Sequence, residues 1–403
     1  MTKEEALKRD EEITALKVKG VDVMKREWFE GLMSSGGTRK ERMRQPLWEM
    51  IDDWDAWQPL HKEVRVVAGL DAYEAIKKNH PTVPTLIVEG KSANNRYSNQ
   101  PEILKYLPAD VIALQQPLNH VYLVSSAVMD LVCQVDGLSH VTYTALKAND
   151  WYVQKAKEAM EEGTLVYAGK YSAPDYEQLL QGGCTFAIEN TMITHNPEVK
   201  EKLEELGIRV MVERSSYEKH PLGRLEWIKL FGVLFGKQQQ ADDYFNKQVK
   251  RVKPILGKKS TGKKVAFFAV SSDGTITVRK PNDYVSAMIG LAGGIYSLGN
   301  YTDEEKNALS TMKMQMEDFY SAEIDADVLI YNGTIEGELT SIDELVKKNS
   351  LFADFQAVKS GQVYTTGSNF YQQSTGTCDF IEDPNQILTG EGDGTYRFLK
   401  QLQ

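Results

Sequence analysis

Two α/β lobes joined by one long inter-lobe helix, with an N-terminal appendage, is the architecture this sequence predicts. Three observations carry it. From 121 to 365, short apolar strands alternate with helical stretches, the pattern of a mostly parallel sheet covered on both faces. The alternation is interrupted once, where Leu222, Leu225, Ile228, Phe231, Leu234, Ala241, Phe245, Val249 and Val252 recur at roughly helical spacing. A weak internal repeat relates the two sides: PDYEQLL (174–180) precedes a strand ending in Glu189-Asn190-Thr191, and QMEDFY (315–320) precedes a strand ending in Asn332-Gly333-Thr334.

Residues 1–118 form the appendage, with helical pieces and short strands. Trp28, Trp48, Trp54 and Trp57 fall in its first 60 residues, a loop is expected at 33–38, and 92–100 is polar and turn-like. Residues 63–88 read as strand, short helix, strand, and 111–115 as a further strand. The first lobe, 119–220, has strands at 121–124, 185–188 and 208–212, with helices at 127–135, 152–162, from 176, and at 197–206.

The inter-lobe helix is placed at 221–256. Pro221 suits a first helical position, where the missing N–H has no partner, and no proline follows until Pro254. Such a helix is roughly 50 Å long, enough to pass between domains, and it lacks sustained heptads. The alternative is two shorter helices broken at Gly232, Gly236 or the Gln238-Gln239-Gln240 run. The second lobe, 257–403, has strands at 264–271, 328–331 and 362–365 and helices at 283–291 and 341–348.

A length of 403 residues allows two or three domains. The formal charge of −10 argues against a nucleic-acid backbone as partner. No run approaches the ~20 apolar residues that span a bilayer. Cys133, Cys184 and Cys378 have neither zinc-site spacing nor disulfide-scaffold density, and read as buried or semi-buried thiols.

In open α/β sheets, ligands sit beyond the carboxyl ends of the strands. That rule nominates Ser125, Tyr143, Tyr171, Asn190, Arg214 and Tyr217 in the first lobe, and Arg279, Tyr284, Tyr331, Asn332 and Tyr371 in the second. Arginines supply charge and tyrosines flat contact area. Each also has a purely structural reading: Tyr284 as core, Arg214 as the partner of Glu213 or Glu218. The six histidines show no HxxxH or HExxH spacing. His195 follows a strand and is a candidate haem or metal ligand, whereas His220 beside Pro221 reads as a helix cap. No nucleophile elbow or phosphate loop follows a strand, and Gly290, Gly293 and Gly294 read as helix-end glycines. No catalytic residue, metal site or cofactor is expected.

The blocks AGKYSAPDYEQLL (168–180), VKEKLEELGIRVMVERSSYE (199–218), EKHPLGRLEWIK (218–229), MKMQMEDFYSAEIDADVLIYNG (312–333) and FQAVKSGQVYTTGSNFY (355–371) resemble the helical-backbone substrate-binding proteins of ABC importers. These bind ferric siderophores, haem or cobalamin. The resemblance covers about 120–403. It implies a binding protein and not an enzyme, in which two lobes close on a ligand in the cleft between them and dock on a membrane permease. In that family one glutamate on each lobe meets arginines of the permease, and Glu177 and Glu317 fall where these are expected. Taken singly, each glutamate is also a favourable charge at a helix N-terminus.

The expected function is therefore capture of an iron complex and its delivery to an ABC permease, by a monomer. A cobalamin or corrinoid carrier of the same family is the alternative, followed by a cytoplasmic sensor or a metal-cluster enzyme on a similar scaffold. Only Trp151 and Trp227 follow residue 57, which tilts the ligand away from cobalamin. The start, MTKEEALKRDEEITALKVKG, has no apolar h-region. A periplasmic or lipid-anchored location is expected on the premise that an export signal has been removed.

Overall fold

The computed structural model describes residues 65–68, 85–89, 111–115 and 117–403, apart from 219, 257, 282 and 302–309. The helical pieces and loops expected elsewhere in 1–116 lie outside the described residues. The chain divides into two compact units, Met1–Tyr217 with Glu226–Tyr244, and Glu218–Leu225 with Phe245–Gln403.

In the first unit, β1 (Arg65–Ala68), β2 (Thr85–Glu89) and β3 (Val111–Gln115) pair in parallel in that order, each where a strand was expected. A five-stranded parallel sheet follows. Its elements are β4 (Val121–Leu123), α1 (Ser126–Gln134), β5 (Val141–Thr144), α2 (Gln154–Glu161) and β6 (Val166–Tyr167), a small antiparallel pair β7 (Gly169–Lys170) and β8 (Ala173–Pro174), then α3 (Tyr176–Gln181), β9 (Phe186–Glu189), α4 (Pro197–Glu205) and β10 (Arg209–Val212). The order is β10-β9-β4-β5-β6. Strand β9 is buried along its whole length, as a central parallel strand covered on both faces must be.

The segment between the α/β units is helical in three pieces: α5 (Pro221–Glu226), α6 (Ile228–Leu234) and α7 (Gln238–Leu256). Only α7, with 19 residues, is the long helix that joins the units, and it continues past Pro254. One uninterrupted helix over 221–256 is thus corrected. The break is a Schellman turn: Gly236 adopts φ 69°, the Lys237 N–H donates to the Gly232 carbonyl at 2.6 Å, and the Gly236 N–H donates to Val233 at 3.3 Å. Gly232 is not itself a break. A Cβ there would lie 2.6 Å from the Ala241 Cβ, so its absence lets α7 fold back onto α6. At the start, the Leu222 N–H donates to His220 Nδ1 at 3.2 Å, so His220 does cap α5.

The second unit holds β11 (Lys264–Val270), β12 (Ile276–Arg279), α8 (Tyr284–Leu291), β13 (Ile295–Tyr296), β14 (Thr311–Met314), α9 (Met316–Glu323), β15 (Val328–Tyr331), α10 (Gly333–Glu336), α11 (Ile342–Lys348), α12 (Gln356–Lys359), β16 (Val363–Thr366), α13 (Thr377–Thr389) and β17 (Leu399–Gln401). Its sheet runs β14-β12-β11-β15-β16-β17, with β13 also on β11. This sheet is mixed: β12 is antiparallel to β11 and β14, and β17 to β16. The sequence reading missed β12, β14 and β17 because each is short and partly polar. Helix α8 ends at Gly293, with φ 90°, as its glycines indicated. The C-terminal strand is pinned by Asp383 Oδ2, which accepts the Arg397, Phe398 and Leu399 N–H groups at 2.9, 2.7 and 3.1 Å.

One residue of β9 breaks the apolar pattern. Glu189 is fully buried, and neither carboxylate oxygen has a hydrogen-bond partner. Burial pushes its pKa up to about 8, so the folded chain holds a proton that the unfolded chain releases near 4.5. Stability then falls as pH rises through that window. Buried His220, lowered to about 4, is neutral in the fold across this range, and buried Glu323, pushed up to about 7, loses its own proton around pH 7 and adds to the same slope. Between pH 7 and 8 stability, read from the urea midpoint, is expected to fall with rising pH, each of the two carboxyls contributing at most about 1.4 kcal/mol per unit. Glu189→Gln, which copies the protonated carboxyl, should make that slope shallower. An equal slope in the variant would mean that this carboxylate is compensated.

Candidate functional site

In the first unit, β4 lies between β5 on one side and β9 on the other, so the strand order reverses at its carboxyl end. That position is where open α/β sheets form ligand crevices. Ser125 follows β4 there and is buried. Its hydroxyl donates to Glu213 Oε1 at 2.9 Å, and Glu213 Oε2 accepts the Ser215 N–H at 2.9 Å and the Ser215 hydroxyl at 2.7 Å. One buried carboxylate thereby ties the loop after β4 to the loop after β10. Asn190 follows β9, half-buried, and its Oδ1 accepts the Met192 N–H at 2.9 Å. Arg214 follows β10, also half-buried, and Tyr217 ends the short 3-10 turn Ser215–Tyr217.

Two first-unit candidates stand apart from these strand ends. Tyr143 is buried on β5, and its hydroxyl lies where a Cβ on Gly182 would project, so it packs towards the end of α3. Tyr171 sits in the tight turn between β7 and β8, half-buried against the core. His195 is exposed. Among the described residues, no group of three or more His, Cys, Asp or Glu could hold a metal ion. The three cysteines are buried and free.

The second unit brings four of its five candidates together. Arg279 ends β12 and is 5% exposed. Its Nη1 donates to Ser310 Oγ at 2.9 Å and its Nη2 to the Tyr284 hydroxyl at 3.4 Å, while Nε lies 3.5 Å from Asp283 Oδ1. The guanidinium also lies over two rings, 5.3 Å from the Tyr284 centroid and 5.0 Å from that of Tyr371. Tyr371 in turn accepts from Asn332 Nδ2 at 2.7 Å. Burial pulls Arg279 towards its neutral form, but Tyr284, Tyr371 and Asp283 outweigh this and raise its pKa. Burial likewise raises Asp283, against the pull of Arg279. Tyr331 is separate: its ring packs edge-on against Phe268, with the Lys348 ammonium 5.7 Å away.

Three members of this cluster escaped the sequence reading. Asp283 carries a legible signal, an acid just before an apolar helix, and its Oδ1 accepts the Val285 N–H at 2.9 Å as an N-cap. Arg224, whose Cζ lies 4.1 Å from the Tyr284 centroid, was absorbed into the helical periodicity of 221–253. Ser310 has no signal, since only the fold brings it to Arg279.

Glu177 and Glu317 each occupy the first turn of a short helix, α3 and α9, ahead of a central strand. Both are exposed. Glu177 Oε1 accepts from Gln181 Nε2 at 2.8 Å.

Residues 123–370 match the family described as periplasmic binding protein. Two uncharacterised lipoproteins of Methanocaldococcus jannaschii are similar: one is 26% identical over 63% of this chain and 60% of its own length, the other 28% identical over 62% and 65%. The chain thus spans about three fifths of the length of these relatives. Among solved structures, a periplasmic binding protein from Veillonella parvula superimposes with a TM-score of 0.55 at 16% identity, covering 68% of this chain and 93% of that one. A periplasmic heme binding protein from Pseudomonas aeruginosa gives 0.53 at 15% identity, covering 71% and 99%. At such identities the likeness shows the fold. The matched family is a class of binding proteins and not of catalysts. The family match spans well over half of the residues, and the chain belongs to the periplasmic binding protein family.

Proposed function

We propose that this protein is the solute-binding component of an ABC importer, and that its cargo is an anionic iron complex, a ferric siderophore or haem. The observation that carries the cargo is the Arg279 cluster, a buried guanidinium set against the rings of Tyr284 and Tyr371. Ferric catecholate, hydroxamate and haem ligands are flat, partly aromatic and often negatively charged. A cation held among tyrosine faces suits such a surface. In the first unit Ser125, Asn190 and Arg214, at the carboxyl ends of β4, β9 and β10, are proposed to contribute, and Tyr171 and Tyr217 are proposed as further ligand contacts.

An extracytoplasmic location follows from this role. Lipid anchoring is proposed from the two lipoprotein relatives. Among the described residues no helix is long and apolar enough to cross a membrane. Glu177 and Glu317 are proposed as the permease contacts. Exposed carboxylates facing guanidinium groups make charge-assisted, often bidentate bonds that steer association.

Absorption spectra and mass of whatever co-purifies, followed by fluorescence titration with haem, cobalamin and a siderophore panel, test the cargo. Binding of at least one ferric complex is expected. Substituting Arg214 or Arg279 by Gln should weaken an anionic complex by about 1.5–3 kcal/mol, and a neutral analogue of the same shape by less. Tight cobalamin binding with no ferric ligand bound would replace the iron assignment with the corrinoid one.

Docking has its own measurement. Reversing both charges, Glu177→Lys with Glu317→Lys, should abolish uptake in cells while leaving ligand affinity within about twofold, since neither carboxylate belongs to the proposed ligand set. Normal uptake by a folded double variant would remove these residues from the docking surface.

A further inference from the structure

Among the described residues, buried Arg224 has no ionic partner. Its side chain is 7% exposed, its Cζ stacks 4.1 Å from the Tyr284 centroid, and its Nε is shielded from water with no hydrogen-bond acceptor. Asp283 lies within reach of its field, but that carboxylate is already engaged by Arg279 and by the Val285 N–H. A desolvated guanidinium loses more hydration than stacking on one ring restores. An arginine placed this way is a poor structural element unless an anion arrives to complete it.

A second observation falls in the same place. Arg224 lines a narrow crevice with Tyr284, Gln373, Ser374 and Thr377, and Phe and Met side chains close the rest. Ser374 is 6% exposed, and its Oγ also has no hydrogen-bond partner. Its neighbours do not supply one: the Thr377 hydroxyl donates to the Ser374 carbonyl at 2.8 Å, and Gln373 Oε1 accepts from Asn369 at 2.8 Å. Two orphaned polar atoms, a guanidinium N–H and a hydroxyl, therefore border one crevice. Both can donate, and buried donors left unpaired are uncommon in native proteins.

We propose that Arg224 and Ser374 form a subsite for a single carboxylate group. The crevice has open room for little more than one water, which suits the oxygen end of a carboxylate and excludes a whole chelate. A carboxylate accepts from a guanidinium and a hydroxyl together and needs no donor of its own. This rests on the reading of the chain as a carrier of anionic iron complexes, and deepens it: the cargo bears a free carboxylate beyond those that hold its iron. A small free carboxylic acid offers the same chemistry, and the test separates the two.

The melting temperature of the full chain is measured in sodium succinate and in sodium chloride of equal ionic strength, for the wild type, Arg224→Met and Ser374→Ala. The wild type should melt higher in succinate, and both variants should lose most of that difference. Without ligand, Arg224→Met should melt no lower than the wild type, because it removes an uncompensated buried charge and keeps the packing on Tyr284. Its affinity for the co-purified cargo should fall roughly 10- to 150-fold, the equivalent of a charge-assisted hydrogen bond. A succinate effect with unchanged cargo affinity would identify a free acid as the ligand and overturn the cargo assignment. A lower melting point with the succinate effect intact would make Arg224 structural and overturn the subsite. Should Arg224→Met fail to fold, Ser374→Ala decides alone, and retention of its succinate effect overturns the proposal. Cargo bound equally by all three proteins removes the subsite and leaves the carrier reading standing. A wild type with the succinate effect but no iron cargo does the reverse.

Discussion

A guanidinium inside a low-dielectric core has to be surrounded, and much of the second unit is arranged around that demand. Arg279 draws its partners from separate pieces of chain: Tyr284 and Asp283 at the start of α8, Ser310 ahead of β14, Tyr371 after β16, and Asn332 through Tyr371. The Tyr296 hydroxyl adds a bond to the Arg279 carbonyl at 2.6 Å. Removing any one partner leaves a buried charge less compensated, which is costlier than losing an exposed pair. The mixed sheet is part of the solution. Because β12 runs antiparallel to β11, its last residue comes back beside the middle of that strand instead of emerging at the carboxyl edge. Arg279 therefore reaches the cluster from a direction that the strand-end rule for parallel sheets does not anticipate.

That difference explains what could be read from the sequence. Strands β4, β9 and β10 of the first sheet, the strands at 264–270, 328–331 and 363–366, and the helices at 284–291 and 342–348 are uniform apolar patterns, and each appears where the pattern put it, whereas β5 and β6, short and partly polar, were not read. Positions at the carboxyl ends of β4, β9, β10 and β15 followed from topology alone. The break at Gly236 was harder, because apolar spacing continues across it. Nothing in that spacing distinguishes one helix from two that fold back on each other, and the deciding feature, the fit of Ala241 against Gly232, is tertiary. Arg224 was hidden for the same reason. Tyr143 was nominated by its strand position but directed inward by the pleat, a choice that a one-residue shift in strand register would reverse.

The two exposed glutamates show the opposite balance. Helix α3 already has its N-terminus capped by Asp175, whose carboxylate accepts the Gln178 N–H, and α9 carries Asp318 next to Glu317. Each glutamate adds at most a few tenths of a kcal/mol to a helix so provided. Residues with so little to do for the fold are free to serve recognition, which is why their proposed docking role does not compete with stability.

The polar groups that each unit can offer a ligand differ in kind. In the first unit the Ser125 and Ser215 hydroxyl hydrogens are committed to Glu213, so Ser125 can accept from a ligand but has no proton left to donate. The Asn190 carbonyl oxygen is likewise taken by the Met192 N–H, which leaves the amide nitrogen as its unused group. The second unit is rich in donors: two arginines meet at Tyr284, and Ser374 stands near one of them. Arg214, half-buried after β10, adds a guanidinium to the first unit, so each unit has a cationic donor of its own. The contrast lies in the groups around that donor: a buried carboxylate bonded to two serines in the first unit, and tyrosine rings in the second. The net charge of the protein, −10 overall, is blind to such local differences.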